Sequence, residues 1–146
     1  MTEDPDAAAE RIARKTQRIL WAAGIAFVAW QLAYFAVYTE PGRVVRNVDK
    51  VRTFGVLALC SALLFLVATG GGAFAGRRVR EILDDELATA RRAWAYRNGF
   101  WAMIAIGFAG YVLAQVSAVR ALDLAHVSLS GGVIVAVLTL AYLGRR

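Results

Sequence analysis

Residues 77–104, RRVREILDDELATARRAWAYRNGFWAMI, carry ten charged side chains in the first 21 positions and none in the last seven. That boundary is the edge of one of four runs without Asp, Glu, Lys or Arg: Ile19–Thr39, Thr53–Gly76, Asn98–Val119 and Leu124–Gly144, of 21, 24, 22 and 21 residues. Each matches the roughly 20 apolar residues with which a helix crosses a hydrocarbon core about 30 Å thick. Helices of a soluble bundle keep a polar face, whereas these runs are apolar all round. The expectation is an all-α fold. A single domain over 1–146 would form a four-transmembrane-helix bundle with spans at 19–39, 53–76, 98–119 and 124–144, and cytoplasmic helical extensions at 6–18 and 77–97.

Hydrophobic residues make up 59% of the chain and charged residues 19%, with a formal net charge of +6. A basic balance can signal nucleic-acid binding, but here the placement of the charges decides. Arg11, Arg14, Lys15 and Arg18 precede the first run, six arginines lie between the second and third, and Arg145 and Arg146 follow the fourth. The opposite loops hold Arg43, Arg46, Lys50, Arg52 and Arg120. Because Lys and Arg are retained on the cytoplasmic side, both termini and 77–97 are expected inside, and 40–52 and 120–123 outside. The bilayer is then the expected surrounding, with no direct nucleic-acid partner. The excess of arginine over lysine hints at a GC-rich bacterial genome, and so at the inner membrane. The first run follows four acidic residues and exceeds the apolar region of a signal peptide, so it is expected to remain as an anchor. Trp21, Tyr38, Trp94, Tyr96, Trp101 and Tyr142 fall near the run ends, as interfacial aromatic residues do.

Along the chain, Ala8, Ile12, Thr16 and Ile19 recur at helical steps, with Asp4, Asp6 and Glu10 near the positive end of the dipole. Two geometries fit: one helix running unbroken into the first span, or a basic amphipathic helix lying on anionic lipid. Pro41-Gly42 ends the first helix. Gly70-Gly71-Gly72 and Gly76 suit a kink or a close helix approach in the second span, and Arg120–Asp123 is expected to close a tight hairpin between the third and fourth.

Chemistry is sparse. Ion-coupled transport needs an ionisable residue at depth, and no run holds a carboxylate or basic group near its middle, so the embedded glutamate of small four-helix drug exporters has no counterpart. His126 and Asp123 could face one another at a helix start, but two ligands do not make a zinc site, and a helix-end histidine is the favoured reading. Cys60 is the only cysteine and is expected to pack. Ser61, Ser117, Ser128 and Ser130 lack an oriented base, and the glycines at 70–72 lack the lysine of a phosphate loop. No catalytic residue, metal or cofactor is expected. Small residues at four-residue steps, Gly110, Ala114 and Ala118 with Gly132 and Ala136, would allow close helix packing and permit a homo-oligomer. Gln31, Gln115, Ser117 and Thr139 are available for interhelical hydrogen bonds.

Val79, Leu83, Leu87, Ala90 and Trp94 repeat at steps of four, four, three and four, which describes one apolar stripe on a charged helix. Asp84 or Asp85 resembles an N-cap, and a chain reversal over 81–85 or a helix lying flat on the membrane would both satisfy the antiparallel runs. The stripe is expected to dock a cytoplasmic protein, or to pack through Leu83 and Leu87 near Ile12. The segment LDDELATARRAWAYRNGFWAM, residues 83–103, resembles small four-helix bacterial integral membrane proteins of unknown function, some encoded beside helix-turn-helix regulators of the XRE type. The resemblance implies a membrane partner of a transcriptional regulator. The expected function is thus a non-enzymatic inner-membrane protein with a cytoplasmic interaction surface. The alternative is a small oligomeric channel or transporter for an uncharged or lipid-like solute.

Overall fold

The computed structural model describes residues 5–38, 47–70, 81, 85–117 and 120–144. They form four long helices, with no strand among the described residues. α1 spans Pro5–Tyr38, α2 Asn47–Thr69, α3 Glu86–Ala114 and α4 Ala121–Leu143. α1 opens with proline in its first turn, where the missing N–H costs no hydrogen bond, and Asp6 follows at the positive end. It then continues without a break through the charged residues into the uncharged run, which selects the unbroken geometry.

The other boundaries depart from the expected spans. α2 stops at Thr69 rather than Gly76 because Gly70 takes a positive φ of 56°, the left-handed conformation that ends a helix. Residues 71–76 lie outside the described ones. α3 begins at Glu86, directly after the expected N-cap Asp85, but ends at Ala114 rather than Val119. Its last turn tightens through hydrogen bonds from Gln115 N to Val112 O and from Val116 N to Leu113 O, both 3.1 Å. α4 begins at Ala121, so 121–123, expected in the reversal, belong to its first turn.

α4 packs on each of the other three helices, most extensively on α3. Gln17 Nε2 donates to Ala141 O at 3.3 Å, and the Tyr96 hydroxyl to Leu64 O at 3.2 Å. The start of α1 and the end of α4 thus share one end of the bundle, and α1 and α3 run against α2 and α4. The core joins Leu20 and Phe27 of α1, Val56, Cys60, Leu63 and Val67 of α2, Ala95 of α3, and Val133, Val137 and Ala141 of α4.

Close approach between α3 and α4 depends on the absence of side chains. A Cβ on Gly99 would lie 2.7 Å from Gly132 O and 2.8 Å from Ala136 Cβ, and one on Gly132 would lie 2.9 Å from Met103 Cβ. Gly132 and Ala136 therefore occupy the helix contact. Gly110 lies against Leu124 of α4, Ala114 is exposed, and Ala118 lies outside the described residues. The described contact on α3 runs through Ala95, Gly99, Met103 and Gly110 and does not continue to Ala114, so it begins about four helical turns before the expected start at Gly110.

The outer faces are apolar. Leu32 on α1, Phe54 and Phe65 on α2, and Trp101, Phe108 and Tyr111 on α3 are exposed, Phe54 to 72% and Phe108 to 70%. By length and apolarity one helix among the described residues, Ala121–Leu143, suffices to cross a membrane, with Phe54–Thr69 a shorter apolar segment. It is also the helix most enclosed by the others.

Candidate functional site

A cap opens the described part of the expected stripe. Asp85 is extended, with φ −60° and ψ 164°, and its Oδ1 accepts from Ala88 N at 2.6 Å, which satisfies one of the unpaired donors at the start of α3. The helix that starts at this cap carries Leu87, Ala90 and Trp94 of the expected stripe. Val79 and Leu83 lie outside the described residues. The remaining three are exposed, Leu87 to 57% and Trp94 to 53%. The opposite face of α3, with Ala88, Arg91, Arg92 and Ala95, turns inward instead.

Local contacts hold this end. The Arg97 guanidinium carbon lies 3.7 Å from the centroid of the Trp94 ring, a cation–π contact that shields part of the indole. Arg92 donates through Nη2 to Thr89 Oγ1 at 3.2 Å. Burial raises the Tyr96 phenol above its ordinary value and the Arg92 charge opposes the shift, so the hydroxyl stays protonated as the donor to α2. On α1, Glu10 and Arg14 pair at 2.9 Å across one turn, in the order favoured by the dipole.

A cleft of about 130 Å³ opens where all four helices converge. Thr16, Gln17 and Leu20 of α1 form one wall, and Arg91 and Arg92 of α3 face them. Leu140 supplies part of the floor, and Gly70 closes the α2 side. A Cβ on Gly70 would come within 3.2 Å of Arg92 Nη1.

Nearer the opposite end, Gln31 of α1 and His126 of α4 meet, 2.9 Å apart between Oε1 and Nε2. Gln31 is 7% exposed, and its Nε2 has no hydrogen-bond partner among the described residues. Ser130 Oγ donates to His126 O at 2.7 Å, so its hydroxyl serves its own helix. Ser128 Oγ is buried without a partner among the described residues, beside Gly107. His126 is thus an interhelical hydrogen-bonding residue rather than a bare helix end. Nothing in the sequence links it to Gln31 across 95 positions beyond the presence of an amide in an apolar run. Among the described residues no three His, Cys, Asp or Glu side chains converge as metal ligands.

Comparison with known protein families, characterised proteins and solved structures gives no match.

Proposed function

We propose that this chain is a four-span protein of the bacterial inner membrane, with both termini cytoplasmic, whose charged end docks a cytoplasmic protein. The membrane reading is supported by the apolar outer faces of α1, α2 and α3, which in water would exceed the exposed apolar patches usual for a soluble monomer. At about 1.5 Å per residue, the 34 residues of α1 and the 29 of α3 give roughly 51 and 44 Å, beyond a hydrocarbon core of about 30 Å. Their charged first turns, which share one end of the bundle, then project from the bilayer as a platform.

The observation that carries the docking reading is the exposure of Leu87, Ala90 and Trp94 on this projecting part of α3. Glu86, Arg91, Arg92 and Arg97 make the segment too charged to rest in hydrocarbon. A helical face with apolar anchors at steps of three and four fits a groove or helix on another protein. The resemblance noted above makes a helix-turn-helix regulator the partner of choice. Site-specific photocrosslinking in cells tests the proposal, with the probe placed at Leu87, at Trp94 and, as a lipid-facing control, at Phe108. A discrete adduct with another protein from positions 87 and 94, absent from 108, is expected. Adducts only with lipid or with a second copy of the chain would overturn it.

A further inference from the structure

We infer that the cleft between residues 13–20 of α1, the first turns of α3 and the last turn of α4 seats one anionic phospholipid, its phosphate held by Arg91. This rests on the membrane reading above but concerns a different surface from the Leu87–Trp94 face. The walls have two characters: Arg91, Thr16 and Gln17 are polar, while Leu20 and Leu140 are apolar. A purely polar ligand would leave the leucines wet, and a purely apolar one would desolvate Arg91 without a counter-charge. An anionic head joined to a hydrocarbon tail satisfies both.

Electrostatics single out Arg91 from its neighbour. α2 and α4 both end at the cleft, and each helix terminus brings roughly half a negative charge, so together they offset about one arginine. Arg92 is placed for that task, beside Gly70 and hydrogen-bonded to Thr89. Among the described residues Arg91 forms no ion pair and no carboxylate lines the cleft, so one positive charge remains there for a ligand. A guanidinium holds two phosphate oxygens at once, a geometry a lysine cannot supply. The cleft also lies where charge gives way to apolar sequence, at Arg18–Ile19 and at the Gly144–Arg145 junction. That is the depth of a phospholipid head group.

The test uses the full chain purified in a neutral detergent, with native mass spectrometry following titration by phosphatidylglycerol, phosphatidylcholine or inorganic phosphate. Phosphatidylglycerol should bind one per protomer and tighter than phosphatidylcholine, and millimolar inorganic phosphate should not displace it. Arg91→Gln should weaken it by about ten- to a hundredfold, the loss of a charge-assisted contact. Arg91→Lys should fall between, and Arg14→Gln, on the exposed face of α1, should match the wild type. Equal binding by folded Arg91→Gln would overturn the inference, as would inorganic phosphate saturating the site with the affinity of the lipid. Carbonate-washed membranes separate this failure from the larger one. A chain retained in the membrane but indifferent to Arg91 loses only the lipid seat, whereas a chain released by the wash loses the membrane reading.

Discussion

At Gly99 and Gly132 a single added carbon decides whether α3 and α4 can touch. The obstructing atom at Gly99 is a backbone carbonyl, 2.7 Å from the position a Cβ would take, and it cannot turn aside as a flexible side chain could. Gly99→Val should therefore cost about 1–3 kcal/mol or more through forced helix separation, read as a lower unfolding temperature in detergent. Ala114→Val, at an exposed position, should leave that temperature within about a degree or two. The Gln31–His126 pair follows a different logic. His126→Leu strands a buried amide that already has one unpartnered nitrogen, at a cost of about 1–3 kcal/mol, whereas Gln31→Leu removes the amide and its orphan together. A double-mutant cycle should show the second substitution recovering most of the loss caused by the first. Additive losses would mean that the 2.9 Å contact contributes little.

Among the elements, α3 shows where cap and packing strength part. Replacing Asp85 with alanine deletes the oxygen that accepts from Ala88 N and should destabilise the start of the helix by about 1 kcal/mol, visible as faster amide exchange at residues 86–90. Leu87→Ala should change stability by less than about 0.5 kcal/mol because the side chain is more than half exposed, while Leu63→Ala in the core should cost about 2–5 kcal/mol. Equal effects would show that the first turn of α3 is covered within the protomer. The helical class was legible because uncharged runs and Asp85 leave strong local signals, and Gly132 and Ala136 carry a recognisable small-residue step. The boundaries were not. The absence of charge records where a helix could meet lipid, not where its hydrogen bonds end, so α3 stops at Ala114, five residues before the uncharged run does. The inward face of Ala88, Arg91 and Arg92 was missed because its charge read as solvated surface, and the cleft needs four helices brought together before any of its residues acquires a role.

For the whole molecule, orientation is the property on which every proposed contact depends. In a Cys60→Ala background, an impermeant maleimide should label Asn47→Cys, at the start of α2, in intact cells, and reach Thr89→Cys, in the first turn of α3, only after permeabilisation. The reverse pattern would place the Leu87–Trp94 face and the Arg91 cleft outside the cell. Chain order adds a constraint of its own. The helix on which the other three pack is α4, which the ribosome completes after them, so α1, α2 and α3 enter their surroundings before their main packing partner exists. Assembly must then wait for a late keystone, in the manner of membrane helices that insert independently and associate afterwards. On the proposed four-span reading, stopping translation before Ala121 should leave three inserted but unassembled helices, exposed to quality-control proteases. Supplying residues 120–146 as a separate chain should rescue them, since a binding surface formed by helix faces does not require the connecting turn to be covalent.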